Sequence, residues 1–397
     1  MSKQTRRGVS VLSFVVLATL SLSFTLYRIY NRVGAVDASR VESFAPRFAI
    51  KVPQPWQLFQ RDENDMADIP VHLLVYGGLS GQISARHNGG EWQVLTENFK
   101  GTEFNGFLKN QPVGQGDLEV KVGTLLAKTV ETVSVGDILL CDGQSNNSGV
   151  FDHQYQSTDL KFKPSMYRLD VESWMPLRDP TNPYWEFFKL GDKGSVWPLV
   201  AELYVKEFNV PVAIIDTSMG GSGLAVSLNG SSGNDWLPQH GPYKSLLRAV
   251  SLATEGRNTV KFLLSFRGET DAIERVSTDG YKAEMSEYRE RLAKDLGHGN
   301  FPIIIGQIAF FTKWRNPSTG LYTSSDDIVK VRLAQQEVVD GINFFSGPDG
   351  SRVEIGPDNL HFSSDQAKRV LADFWMDSIR KAAVVADKQP EVVAVNR

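Results

Sequence analysis

One cysteine, Cys141, stands in a chain of 397 residues. A single thiol excludes an intramolecular disulfide framework and any zinc site built from several thiolates. Basic residues do not outnumber acidic ones, 42 against 46, and the net charge of −4 leaves no surplus for gripping phosphate backbones. A nucleic-acid partner is therefore not expected, since it calls for a clustered basic face. Neither a G-x-x-x-x-G-K-[ST] loop nor a G-x-G-x-x-G fingerprint occurs anywhere, which argues against nucleotide binding. Neither a metal nor an organic cofactor is expected.

What is present is globular material. Hydrophobic residues at 41% and charged residues at 22% exclude wholesale disorder. The length calls for more than one domain. Gly8 to Tyr27 is a 20-residue run without a charge, flanked by Lys3, Arg6 and Arg7 before it and by Arg28 and Arg32 after it. About 20 apolar residues match the thickness of a bilayer, whereas a cleaved signal has a shorter core and a small-residue cleavage site. Residues 1–44 are expected to be a signal anchor and linker, the alternatives being a cleaved signal with a late site at Val33-Gly34-Ala35 or a buried helix. The catalytic part would then lie outside the cytoplasm, membrane-anchored or secreted.

Residues 45–134 show short strand-like runs separated by Gly, Asn and Asp turns, such as Gly77-Gly78 and Asn88-Gly89-Gly90. This spacing predicts a small all-β sandwich. Its histidines, His72 and His87, have no acidic or nucleophilic partner at a telling spacing and read as ordinary strand residues. From about Val135 strands alternate with helices. Strands are expected at 137–141, 210–216, 261–266, 302–311 and 341–346, and helices at 197–208, 243–254, 279–296, 326–339 and 363–382. Alternation predicts a parallel sheet in a three-layer, flavodoxin-like α/β sandwich over 135–385, followed by a short tail at 386–397. Ligands in such sheets bind at the carboxyl ends of the strands.

That edge filters the candidate residues. Ser145 lies in the turn Gly143-Gln144-Ser145-Asn146 where the first strand ends. A serine nucleophile needs a base, and the base needs an orienting acceptor. Two Asp-x-x-His pairs are present, Asp295 with His298 and Asp358 with His361. His298 closes a helix and precedes a strand, at the amino edge, and reads as structural. His361 follows the last strand, on the edge where Ser145 lies. Backbone N–H groups at Ser145 and at Gly221, in the Gly220-Gly221-Ser222 turn after the second strand, could reach one oxyanion if both loops close over the sheet edge.

Together these segments resemble the SGNH hydrolase superfamily, specifically its sialate O-acetylesterase-like branch of carbohydrate esterases. The resemblance rests on Gly143-Gln144-Ser145-Asn146, Gly220-Gly221-Ser222, Arg267-Gly268-Glu269-Thr270-Asp271 and Asp358-x-x-His361, in order. Weaker echoes are Pro242-Tyr243, Gln307-Ile308-Ala309, Arg332 with Gln335, and Leu58-Phe59-Gln60-Arg61-Asp62 upstream. The resemblance implies Ser145 as nucleophile, His361 as base and then acid, and Asp358 as its orienter. It implies Gly221 and Ser145 N–H as oxyanion donors, with Gln144, Arg267 and Glu269 around oxyanion or substrate. The departure is Arg267, where the family usually has Gln. An arginine there has three readings: an oxyanion donor, a binder of an anionic substrate group, or an ion-pair partner, for example of Glu269.

The implied activity is removal of acetyl esters from a glycan through an acetyl-enzyme. Acyl transfer to another polysaccharide hydroxyl, or a non-catalytic glycan-binding relative, are the alternatives. Trp236, Trp185, Trp314 and the Asn316–Gly320 loop are candidates for stacking on a sugar, with packing as the competing role. The sequon Asn146-Asn147-Ser148, beside the nucleophile, is not expected to carry a glycan, and Asn229-Gly230-Ser231 is uninformative. The sequence leaves the oligomeric state open.

Overall fold

Sixteen residues in one strand, Lys128–Gly143, tie the molecule together. In the computed structural model, which describes residues 47–386 apart from 126, 183–192, 229–232, 300, 312–313 and 317–318, this strand (β8) belongs to both halves of the chain. Its first residues alternate between exposed and buried, as a strand with one solvated face should; from Val133 onward every residue is buried. That change marks the passage from a sandwich sheet into the centre of a sheet covered on both faces.

The sandwich forms from β1 (Arg47–Val52), β2 (Leu58–Gln60), β3 (Met66–Tyr76), β4 (Ser80–His87), β5 (Gln93–Lys100), β6 (Glu103–Pro112) and β7 (Gly114–Val122). One sheet has the order β1-β3-β6, and the other joins β5, β4, β7, β8 and β2. In β3 burial alternates residue by residue, so Ile69, Val71 and Leu73 meet Ile83, Leu118, Val120 and Val133 in a dry core.

Downstream come β9 (Ser165–Arg168), β10 (Ser173–Pro176), β11 (Val212–Asp216), β12 (Phe262–Phe266), β13 (Ile303–Gln307) and β14 (Phe344–Asp349). They form the order β10-β9-β11-β8-β12-β13-β14. Five of the seven strands are those expected, and β11-β8-β12-β13-β14 is the 2-1-3-4-5 order of a flavodoxin-like sheet. The expectation of a wholly parallel sheet needs correction: β9 and β10 add a hairpin edge in which β10 runs antiparallel. Each is four residues long, too short for a periodicity to register. The fourth expected strand, 302–311, also ends early, at Gln307.

The helices are α1 (Ser145–Ser148), α2 (Trp197–Phe208), α3 (Gly241–Ala253), α4 (Glu269–Ile273), α5 (Thr278–Leu296), α6 (Ser325–Glu337) and α7 (Asp365–Ala386). Trp197 of α2 packs on Trp375 of α7 at 5.6 Å between rings, and Tyr243 of α3 packs on Tyr288 of α5 at 6.0 Å. These two groups, α2 with α7 and α3 with α5 and α6, are the layers that right-handed crossovers require for this strand order.

The division expected at 134/135 is a point within β8. There the Gln60-Arg61 echo has a structural task. Asp137 is fully buried, and it accepts from Arg61 Nε at 2.9 Å and Nη2 at 2.7 Å, from Gln60 Nε2 at 3.0 Å and from Tyr204 Oη at 2.6 Å. Gly136 beside it has no room for a side chain, since a Cβ would stand 2.1 Å from the Pro211 carbonyl oxygen.

The apolar run 8–27, Trp185, the Asn229 sequon and residues 387–397 lie outside the described residues. Among those described, no helix is long and apolar enough to cross a membrane. Removing one partner of a buried ion pair costs about 3 kcal/mol. Arg61→Ala is therefore expected to lower the urea-unfolding stability of the chain by about that amount, and an unchanged unfolding midpoint would contradict the role given to this pair.

Candidate active site

The nucleophile turn begins where β8 ends. Gly143 takes φ 137°, and a Cβ there would lie 2.2 Å from the Phe266 carbonyl oxygen, so only glycine lets β8 and β12 close this tightly. The N–H groups of Asn147 and Ser148 both bond back to the Gln144 carbonyl at 3.0 Å, which curls Ser145 into the first position of α1. Asn147 pins the turn from beneath, donating Nδ2 to the Asp142 carbonyl at 2.6 Å and the Leu264 carbonyl at 3.2 Å.

His361 arrives on the loop after β14. Ser145 Oγ and His361 Nε2 are 2.8 Å apart, and His361 Nδ1 and Asp358 Oδ2 are 2.5 Å apart. The other carboxylate oxygen, Asp358 Oδ1, accepts the N–H groups of Leu360 at 3.0 Å and His361 at 2.9 Å. Burial would raise the Asp358 carboxyl, but the His361 side chain and these two N–H donors outweigh it and hold the group well below the usual carboxylate range. It stays ionised and fixes the imidazole. The second Asp-x-x-His pair is not joined: Asp295 accepts from Tyr243 Oη at 2.7 Å, and His298 Nε2 meets the Asn258 carbonyl at 2.9 Å.

The Gly-rich turn after β11 carries Gly221. Gly221 takes φ 72° in a tight hairpin closed by Gly223 N–H to the Val226 carbonyl at 2.8 Å and Leu228 N–H to the Gly221 carbonyl at 3.0 Å. Among the described residues no hydrogen bond engages the N–H of Ser145 or of Gly221.

Asn146 is a residue of this site that the sequence does not single out. It is buried, and its Oδ1 accepts the Phe362 N–H at 3.0 Å while its Nδ2 donates to the Leu360 carbonyl at 3.3 Å and to Glu269 Oε1 at 2.8 Å. The residue after the nucleophile thus grips the backbone on both sides of His361. The two consecutive asparagines in this turn were the signal available, because an amide can accept and donate at once.

The remaining expected site residues serve as supports. Gln144, expected at oxyanion or substrate, is buried with both ends of its amide occupied: Nε2 donates to the Ser222 carbonyl and Oε1 accepts the Thr270 N–H at 3.1 Å. Glu269 is buried against Asn146. Burial raises its carboxyl to about 7, opposed by the Asn146 hydrogen bond and the attraction of His361. Arg267 is fully buried; it pairs with Asp142, not Glu269, and donates Nε to Ser265 Oγ at 3.0 Å. Trp236 is fully buried too, so its role is packing and not sugar stacking. Its indole Nε1 donates to Ser222 Oγ at 2.9 Å. Arg332 and Gln335 of α6 hold the loops after β12 and β13, with Gln335 donating to the Arg267 carbonyl at 2.7 Å and accepting the Ile308 N–H at 3.1 Å.

A serine on the turn after the first strand of a doubly wound sheet, relayed through histidine to an aspartate three residues earlier on the last loop, defines an SGNH-type α/β hydrolase. The chain belongs to the carbohydrate esterase family described as sialic acid-specific acetylesterase, whose model matches residues 135–378, more than half of the sequence. A carbohydrate acetylesterase from Xanthomonas citri has a similar structure, with a TM-score of 0.54 at 15% identity over 88% of this chain and 77% of that one. A protein from Arabidopsis thaliana (TM-score 0.47, 15% identity, 64% of this chain and 99% of that one) resembles it less. So does a carbohydrate acetylesterase family member from Sinorhizobium meliloti (0.38, 12%, 62% and 98%). No curated protein matches the chain.

Glu269 holds its proton more tightly folded, at about 7, than at its ordinary 4.5. Its stabilising contribution is complete below about 4.5 and is lost as pH rises through 7, at up to about 1.4 kcal/mol per pH unit. Glu269→Gln keeps an acceptor for Asn146 but cannot titrate. Denaturant unfolding of the variant between pH 5 and 7 is expected to show a shallower decline in stability than the wild type, with Asp179 and Asp271, raised by burial to about 6, and Asp216 and Glu284, raised by burial to about 7, contributing to the remaining slope. Identical slopes would contradict the assignment.

Proposed function

We propose that this chain is a serine-dependent O-acetylesterase that removes acetyl groups from the hydroxyls of a glycan, with acetylated sialic acid the substrate type its family description suggests. The observation that carries this reading is the unbroken relay from Ser145 through His361 to Asp358 at the carboxyl edge of the sheet. His361 Nε2, with its Nδ1–H turned to Asp358, takes the proton of Ser145 Oγ as that oxygen adds to the acetyl carbonyl carbon. The carbonyl oxygen becomes an oxyanion facing the N–H groups of Ser145 and Gly221. Collapse breaks the bond to the sugar oxygen, which leaves as the hydroxyl with the proton returned by His361. Water, deprotonated by the same imidazole, then cleaves the acetyl-Ser145 ester and releases acetate. Asp358 remains a carboxylate throughout, stabilising the imidazolium of each half-reaction. The apolar run 8–27, as a signal anchor, would hold this site outside the cytoplasm beside extracellular or periplasmic glycan.

The purified full chain is expected to hydrolyse p-nitrophenyl acetate and to release acetate from at least one acetylated glycan in a panel of sialic acids, xylan and bacterial polysaccharides. Ser145→Ala and His361→Ala should each lower turnover by on the order of 10³-fold or more with folding intact, because the triad acts as a unit. His298→Ala should retain activity. A folded wild type that releases no acetate from any of these esters would refute the reading, and acetyl transfer to added glycan in preference to water would make the chain a transferase.

A further inference from the structure

Arg267 is the residue at which the third segment departs from the resemblance, and its surroundings are unlike those of a group that meets substrate. The guanidinium is fully buried, with its carbon 4.4 Å from the centre of the Trp236 ring and 4.8 Å from that of Tyr288. Nη2 lies against Asp142 Oδ2, the same oxygen that accepts from Tyr288 Oη. Nε is spent on Ser265. The charge is compensated by one carboxylate and two aromatic faces, and arginine cannot shed it.

Two of these three groups, Asp142 and Trp236, lead to the turns of Ser145 and Gly221. Asp142 stands three residues before Ser145, and its carbonyl receives the Asn147 amide that pins the nucleophile turn. Trp236 donates to Ser222 Oγ, which donates in turn to the Met219 carbonyl at 2.6 Å, inside the hairpin that carries Gly221. Resting on the esterase reading, we propose that Arg267 is a positioning residue: through its ion pair with Asp142 and its stacking on Trp236 it sets the distance between Ser145 and the Gly221 N–H, and it donates nothing to the oxyanion. The hole of this enzyme is then formed by backbone N–H groups alone, and its quality depends on how these two turns are held apart.

The roles separate in a double-mutant cycle on the full chain. Arg267→Gln strands the Asp142 carboxylate in a dry site, and the turns shift. The expected result is a loss of about 10²-fold in kcat, the scale of a displacement of on the order of 1 Å in a catalytic group, with KM changed little. Adding Asp142→Asn removes the stranded charge, so D142N/R267Q should recover most of the lost kcat and melt higher than R267Q. Should R267Q alone not fold, D142N/R267Q compared with wild type and with D142N decides the matter, since it buries no unpaired charge. An arginine that served the oxyanion directly would not be rescued from the far side of its own ion pair. The proposal is overturned if R267Q equals or exceeds the wild type, or if a folded D142N/R267Q remains as slow as the single variant. Labelling of Ser145 by a fluorophosphonate is followed in parallel and should fall and recover in the same order. A wild type that labels but hydrolyses no acetyl ester sinks the esterase reading and leaves the positioning role readable in the labelling rates; one that does neither overturns both.

Discussion

The complete burial of β8 from Val133 to Gly143 is the constraint on which the rest of the structure depends. A strand covered on both faces and paired on both sides cannot shift its register without breaking both ladders and repacking both layers, so its last residue is held from every side. Ser145 inherits that fixity two residues later. The cost is a carboxylate, Asp137, in the middle of the strand, and Gln60, Arg61 and Tyr204 neutralise it with four hydrogen bonds. What begins as a sandwich domain thereby becomes the support of a catalytic one.

Around that fixed end, five consecutive residues distribute the bracing. Arg267 holds Asp142 on the nucleophile strand. Gly268, at φ 122°, makes the turn, with Val331 and Gln335 too near for any side chain. Glu269 holds Asn146 and through it the His361 loop, while the Thr270 N–H holds Gln144. Asp271 Oδ1 accepts the Leu224 N–H at 3.0 Å and so holds the hairpin of Gly221. The turn of Ser145, the loop of His361 and the hairpin of Gly221 are each tied to one short segment after β12. A segment with little chemistry of its own thereby supports all three.

Much of this was legible in the sequence, and the exceptions have physical reasons. Five strands, five helices and the catalytic edge followed from alternation, and the choice of His361 over His298 followed from which end of a strand each occupies. Gln144 was misread as a substrate residue because a sequence motif records that a residue is needed and not which way its amide points. Arg267 was left open among three roles because its partner, Asp142, is 125 positions away and joins it only when β8 and β12 pair. Asn146 was missed for the same reason, its acceptors and donors lying at 269, 360 and 362. The β9–β10 hairpin escaped because four residues carry no period. Pairings between distant loops are a property of the folded sheet and have no local signature.

The double engagement of Asn146 has a consequence for how this protein can be made. Asn146-Asn147-Ser148 reads as an acceptor for N-linked oligosaccharide, and enzymes that transfer such sugars act on chains emerging unfolded. In the finished molecule the Asn146 amide is enclosed and all of its hydrogen-bonding capacity faces inward. A sugar attached there during secretion through a glycosylating compartment would replace a donor with a bulky group and keep the His361 loop from docking. A molecule with the His361 loop docked is therefore one left unmodified at this sequon.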